Sequence, residues 1–276
     1  MSAARLTKRV RAAARAPIGA ALAFAMLGLP ALADPFSTDW APTSKSEARL
    51  IAASPDLAGF EIRLAPGAIT YWRDPGDAGL PPTLDFSGSD NVAGVETLFP
   101  APKRIAEADG GQAFGYEGGV VFPLRVRLRE LAKPATLRLN VDFAVCEKLC
   151  VPAKAHLELT LTSAAGSPYA DAIHAALAAV PRAVAPKAFG ALETLGADSW
   201  RLCAPRQAGP PRDLFAEPPE GWWIKVKPAQ ADESRDCFTL TVGDKPKGAA
   251  LPIALRLTLT GGAGPLETTM EAAAKS

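Results

Sequence analysis

Residues 135–161 read ATLRLNVDFAVCEKLCVPAKAHLELTL, and their pattern is that of two paired strands. Leu137, Leu139, Val141, Phe143 and Val145 share one parity, with Arg138, Asn140 and Asp142 on the other. After Cys146-Glu147-Lys148-Leu149-Cys150 the alternation resumes: Val151, Ala153, Ala155, Leu157, Leu159 and Leu161 are apolar, while Lys154, His156 and Glu158 are polar. A period of two marks strands that bury one face. Placing Cys146 opposite Cys150 across a three-residue loop sets Val145 against Val151, Phe143 against Ala153 and Leu139 against Leu157. Each apolar residue then meets an apolar partner on one face. In this register both cysteines stand side by side at the hairpin tip, off the apolar stripe, as an accessible pair rather than core thiols.

The same period runs through the flanking sequence. Phe60, Ile62 and Leu64 alternate with Glu61 and Arg63. Phe122, Leu124, Val126 and Leu128 alternate with Arg125, Arg127 and Arg129, whose charges read as a solvated strand face. Turn signals separate the runs: Pro66-Gly67, Asp74-Pro75-Gly76, Ser87-Gly88, Asp109-Gly110-Gly111 and Gly118-Gly119. Many short strands with dense turns favour a β-sandwich. The pattern breaks at Gly166, where Tyr169 to Val180 reads as a short Ala-rich helix and Pro181 to Pro186 as a linker. Beyond it, Trp200 and Leu202, then Trp222, Ile224 and Val226, then Phe238, Leu240 and Val242, then Ile253, Leu255, Leu257 and Leu259 alternate again. Trp200 and Trp222 fall on the core phase, and the tail from Thr268 to Ser276 reads as frayed. The expected fold is all-β, with two β-sandwich domains at 34–165 and 189–276 joined by a short helix and Pro-rich linker at 166–188.

The chain has 276 residues, 48% hydrophobic, and Lys+Arg 30 against Asp+Glu 29, which argues against a polybasic nucleic-acid binder. Its charges are unevenly placed. Arg5, Lys8, Arg9, Arg11 and Arg15 precede an apolar run from Ile18 to Leu29, and Ala31-Leu32-Ala33 predicts cleavage before Asp34. Residues 1–33 thus read as a secretory signal peptide and imply export to the periplasm. Its removal leaves 25 basic and 29 acidic residues, a net charge of −4. No later segment is apolar enough to predict stable membrane insertion. In an oxidising compartment an even cysteine count implies disulfides.

Cys146, Cys150, Cys203 and Cys237 allow three connectivities. Sequence neighbours and the domain division favour Cys146–Cys150 and Cys203–Cys237. On the chain-entropy account the first, short loop contributes roughly 2 kcal/mol and the second roughly 3 to 4 kcal/mol. This assigns Cys146–Cys150 to redox work and Cys203–Cys237 to stapling the second domain, while a plain hairpin staple stays open for the first pair. His156 and His174 are the only histidines, and no second closely spaced cysteine pair supplies metal ligands, so no metal and no cofactor are expected. A cysteine hydrolase is disfavoured because an oxidising compartment pairs the thiol.

Three segments carry a family resemblance: Tyr71-Trp72-Arg73-Asp74-Pro75-Gly76-Asp77-Ala78-Gly79-Leu80-Pro81-Pro82, Phe114-Gly115-Tyr116-Glu117-Gly118, and Val145-Cys146-Glu147-Lys148-Leu149-Cys150-Val151-Pro152. Over roughly residues 40 to 162 the chain resembles the N-terminal-domain family of the DsbD thiol:disulfide interchange proteins, in the ScsB-like variant without the membrane domain. Residues 190 to 262 resemble the second β-domain of that variant more weakly. The resemblance implies immunoglobulin-like sandwiches. It also implies a cysteine pair that takes electrons from a membrane thiol reductase and passes them to thioredoxin-fold periplasmic proteins. Cys146 and Cys150 match the redox pair. Phe114 and Tyr116 match a cap that shields it, and Tyr71 lies in a segment contributing an aromatic near the cysteines. The chain departs from the family pattern in its three-residue cysteine spacing and in lacking membrane and thioredoxin-like domains, so the electron donor would be a separate membrane reductase.

The expected activity is that of a thiol–disulfide oxidoreductase or a protein electron carrier, relaying reducing equivalents through Cys146 and Cys150. The competing expectation is a non-catalytic periplasmic binding or copper-stress accessory protein whose disulfides are structural only.

Overall fold

Alternating apolar residues and dense turns produce strands over most of the described residues. The computed structural model describes residues 34–77, 79–107, 110–162, 166–230 and 234–275, and the expected signal peptide lies outside them. The strands begin β1 (Ala41–Thr43), β2 (Ser46–Ser54), β3 (Leu57–Leu64), β4 (Ile69–Gly76), β5 (Thr83–Asp85), β6 (Val92–Thr97), β7 (Lys103–Ala106), β8 (Gln112–Glu117), β9 (Gly119–Leu128), β10 (Ala135–Cys146) and β11 (Cys150–Leu161). Then follow α1 (Ala170–Ala178), β12 (Arg182–Ala183), α2 (Pro186–Phe189), β13 (Ala191–Gly196), β14 (Ser199–Pro205), β15 (Leu214–Glu217), β16 (Trp223–Pro228), β17 (Arg235–Asp244), β18 (Ile253–Leu259) and β19 (Leu266–Ala272).

One sheet orders β1-β2-β3-β9-β6 and a second orders β11-β10-β4-β8-β7, with β5 added to β10. Their inner faces enclose Leu50, Phe60, Ile62, Trp72, Phe122, Leu137, Leu139 and Phe143. The register of β10 and β11 sets Cys146 against Cys150, Val145 against Val151, Phe143 against Ala153 and Leu139 against Leu157, as the alternation requires. Aromatic rings centre the packing: Phe60 stacks on Phe122 with centroids 6.0 Å apart and meets Phe143 edge-on at 6.2 Å. Gly59 lets α1 approach this sandwich, because a Cβ there would lie 3.3 Å from Ile173.

A second pair of sheets, β12-β19-β18-β15 and β13-β14-β17-β16, closes around Trp200, Leu202, Phe238, Leu240, Leu255 and Leu257. The architecture is all-β, of immunoglobulin-like sandwiches. Trp200 is 1% exposed and Trp222 packs against the same core, in keeping with their alternation phase. Two segments differ from the sequence expectation. The tail is a paired strand rather than a frayed end, with Thr268, Met270 and Ala272 of β19 buried in alternation and β18 as its antiparallel neighbour. The linker supplies β12, which pairs in parallel with β19 and so continues the second sandwich.

The two sandwiches touch through β15, β4 and β8. Phe215 of β15 packs into the first core, edge-on to Trp72 at 5.8 Å and to Phe114 at 4.9 Å. Among the described residues no helix is long and apolar enough to cross a membrane.

Phe60→Ala removes a ring that is wholly buried between two others. The expected loss is about 3 to 5 kcal/mol in denaturant unfolding. Leu131→Ala, at a side chain 88% exposed, should change stability by less than about 0.5 kcal/mol. Equal losses in the two variants would contradict this placement of the core.

Candidate redox site

A strand presents successive side chains to opposite faces. Since Val145 and Phe143 of β10 face the core, Cys146 and Ala144 point to the outer side of the sheet. There they form a small apolar cluster with Tyr71 of β4 and Ala113 of β8, flanked by Ile69 and Ile105. Cys146 and Cys150 are joined by a disulfide, S–S 2.01 Å, directly across the hairpin. Their surroundings are unequal. Cys146 is only 5% exposed, whereas Cys150 stands exposed beside Leu149, itself 74% exposed. The tip is tied to the β1–β2 turn by an ion pair between Glu147 and Lys45, and that partner holds the Glu147 carboxyl below its usual range.

The group that covers Cys146 is Tyr71, which is wholly buried. Its hydroxyl donates to Cys146 Sγ at 2.8 Å and also lies 3.4 Å from Cys150 Sγ. Burial, and secondarily the charge of Glu107, push the phenol above its usual value, so at neutral pH it is a neutral donor. The far side of the ring is closed by the loop after β4. A Cβ on Gly79 would fall 2.2 Å from Tyr71 Cε1, and Gly79 has φ +120°, so both space and backbone favour glycine there. The next residue, Leu80, is 53% exposed.

Phe114 and Tyr116 do not form the cap that the sequence suggested. On β8 it is Ala113 that joins Tyr71 and Cys146, so Phe114 and Tyr116, of opposite parity, face away from the sulfurs. Tyr116 lies in the first core, edge-on to Phe122 at 5.5 Å, with its hydroxyl donating to the Pro100 carbonyl at 2.7 Å. Phe114 packs on Phe215 and beneath the Arg104 guanidinium, 4.9 Å from its ring centre. The intervening Gly115 makes the strand contact possible, since a Cβ there would lie 2.1 Å from the Thr70 carbonyl oxygen. The spacing of Phe114 and Tyr116 two apart is itself the signal that both share one strand face.

Cys203 and Cys237 face each other between β14 and β17 and are bonded at 2.06 Å. They are 7% and 6% exposed, so neither has the accessibility of Cys150. Gly79 and Arg73 stand in the Tyr71–Pro82 segment that carries the family resemblance, though the sequence gives neither a role. Lys45 and Glu107 near the first pair, and Phe215 and Glu217 where the sandwiches meet, have no motif of their own. Glycine before an exposed leucine in a Pro-rich loop is the only local hint.

Tyr71→Phe keeps the ring and removes the donor to Cys146. The expected result is reduction of Cys146–Cys150 by a small thiol slowed on the order of tenfold, the worth of a hydrogen bond to a forming thiolate. Tyr116→Phe should leave that rate unchanged. The raised phenol value means that the proton stays on Tyr71 as pH rises and is lost only above the ordinary tyrosine range. The ratio of wild-type to Tyr71→Phe rates is therefore flat from about pH 6 to about pH 9 and falls above about pH 10. A Tyr116→Phe effect equal to that of Tyr71→Phe would contradict the assignment.

Residues 40–162 match the family model for the thiol:disulfide interchange protein DsbD, N-terminal. The crystal structure of the N-terminal periplasmic domain of ScsB from Proteus mirabilis superposes with a TM-score of 0.70 at 21% sequence identity, covering 88% of this chain and 100% of that one. At that identity the likeness speaks for the fold. A chain from the structure of manganese lipoxygenase of Gaeumannomyces graminis with zonadhesin of Komagataella pastoris covers 86% of this chain and 93% of its own, at 10% identity and a TM-score of 0.22, and carries no argument. A search of curated proteins finds no significant match.

Proposed function

Since residues 40–162 form a domain of the DsbD N-terminal family, we propose that this chain is a periplasmic thiol–disulfide interchange protein that relays reducing equivalents through Cys146 and Cys150 to thioredoxin-fold partners. The observation that carries the reading is the asymmetry of the pair: Cys150 open to solvent, Cys146 buried under a hydroxyl donor. Thiol–disulfide exchange needs one sulfur within reach of an incoming thiolate and another that leaves readily. The exposure of Cys150 and the Tyr71 donor to Cys146 support both requirements.

In the accepting half-reaction a thiolate of a reduced donor attacks Cys150 Sγ. The Cys146–Cys150 bond breaks, a donor–Cys150 disulfide forms, and Cys146 leaves as a thiolate that accepts the Tyr71 hydrogen bond and then a proton from solvent. The donor's second thiolate attacks its own sulfur in the mixed disulfide and releases Cys150. Two electrons have entered the pair and the donor has become a disulfide. The delivering half-reaction runs in reverse on an oxidised thioredoxin-fold partner. Cys150 attacks the partner's disulfide, and Cys146 resolves the mixed species. The donor in this reading is a separate membrane thiol reductase. Leu149, between the cysteines, and Leu80, beyond Gly79, give a protein partner apolar surface to dock on. We assign α1, whose Ile173 packs by Gly59, to the first domain and β12 to the second.

Cys146→Ser leaves Cys150 without its resolving partner and should trap a mixed disulfide with an oxidised thioredoxin-fold protein. Cys150→Ser leaves only the covered sulfur and should trap at least about tenfold less. Non-reducing gels with peptide mapping read both. Leu149→Asp should slow exchange with the protein partner while leaving reduction by a small thiol unchanged. If neither cysteine variant traps a partner, the carrier role fails. If Cys150→Ser traps better, the order of attack is reversed.

A further inference from the structure

Strands β4 and β8 pair at Thr70 with Tyr116 and at Tyr71 with Gly115, then not again until Gly76 with Ala113. Residues 72–75 of β4 therefore stand against Phe114 alone, and an unequal count of this kind forces the longer strand to arch away. The arch starts at the residue after Tyr71. Its far end is fastened by Asp77, whose amide donates to the Gln112 carbonyl at 2.9 Å, and Gly79 lies against the Tyr71 ring.

What grips the arch is the second sandwich. Arg73 donates through Nε and Nη2 to the two carboxylate oxygens of Glu217 on β15, at 2.8 Å each, and also bonds Glu267 on β19. Its guanidinium lies 4.3 Å from the ring centre of Trp72, and Phe215 meets that ring edge-on at 5.8 Å. Arg256 of β18 donates to Glu267 at 2.8 Å, so the carboxylates are themselves held in place. The arginine and both carboxylates are each 17% exposed or less, which limits screening by water. A paired fork of this kind fixes direction as well as distance.

We propose that the second sandwich positions the shield of the redox pair: Glu217 and Phe215, acting through the arch at 72–75, hold Tyr71 and Gly79 over Cys146 and so confine exchange to Cys150. Phe215, Glu217 and Arg73 are positioning residues, since none touches a sulfur. The consequence for electron transfer rests on the carrier reading above. The geometry itself does not, and small reagents can measure it.

The experiment uses the full chain with Cys146–Cys150 reduced, and follows iodoacetamide labelling of each cysteine by peptide mass mapping. In the wild type Cys150 should label on the order of tenfold faster than Cys146 or more. Glu217→Ala should raise Cys146 labelling several-fold relative to Cys150, with Glu217→Gln, which keeps the shape and loses the charge, intermediate. Phe215→Leu is the second probe should Glu217→Ala fold poorly. In a Tyr71→Ala background Cys146 is already uncovered, so Glu217→Ala should add nothing there. Labelling at Cys203 and Cys237 stays at the wild-type level throughout. The proposal is overturned if Cys146 labelling is unchanged in both Glu217→Ala and Phe215→Leu, if the increase persists at full size in the Tyr71→Ala background, or if Cys203 and Cys237 become equally reactive, which would indicate general loosening. Failure to trap a partner protein would sink the carrier reading and leave these rates as they are.

Discussion

The two faces of β10 constrain everything at this site. Leu137, Leu139, Val141, Phe143 and Val145 must face the first core, and the strand period then puts Cys146 on the outer side of the sheet. A one-residue slip of β10 would turn Cys146 into the core and expose five large apolar side chains, so hydrophobic burial itself holds the disulfide on the outer face of the sheet. Once there, Cys146 needs its own cover. Tyr71 provides it from the neighbouring strand and adds a hydroxyl aimed at the sulfur. Cys150, at the start of β11, lies 3.4 Å from the same hydroxyl but remains exposed to solvent.

The same chain holds a second cross-strand disulfide with a different outlook. Cys203 and Cys237 are both buried between β14 and β17. Two bridges of like bonding thus differ in the one property exchange chemistry needs, a sulfur that an incoming thiolate can reach. The sandwich carrying the closed bridge is also the one that grips β4 beside the open bridge, through Arg73 and Phe215. The second sandwich therefore has a structural connection to the site although it contributes no atom to it.

Much of this was legible in the sequence, for identifiable reasons. The β10–β11 register follows from parity, because Leu139 must meet Leu157 if every apolar residue is to be paired. The core phase of Trp200 and Trp222 follows in the same way. The tail is harder to read: Thr268, Met270 and Ala272 alternate, yet small and polar residues carry too little hydrophobic signal to announce a strand. The cap role of Phe114 and Tyr116 is implied by the family resemblance and not by their own pattern; their two-residue spacing puts both on the inner face of β8, and Gly115 between them lets β8 approach Thr70. The Asp74-Pro75-Gly76 turn signal marks a real departure from the ladder, though it falls within β4 as an arch. What holds that arch was beyond reach, since Arg73 and Glu217 are joined only by the tertiary fold and no local pattern links them. Which cysteine is open could not be read either, because Cys146 and Cys150 share a parity. The difference comes from Tyr71, 75 residues away from Cys146.

The proposed function requires that one bridge opens in use and the other stays shut. The direct measurement is the reduction potential of each pair, obtained separately by equilibrating the protein against defined thiol couples and mapping the reduced cysteines. The account predicts that Cys146–Cys150 lies within the range of thioredoxin-type couples, about −180 to −270 mV, and that Cys203–Cys237 lies below about −300 mV. Two potentials that coincide, or a Cys146–Cys150 value below about −300 mV, would contradict it.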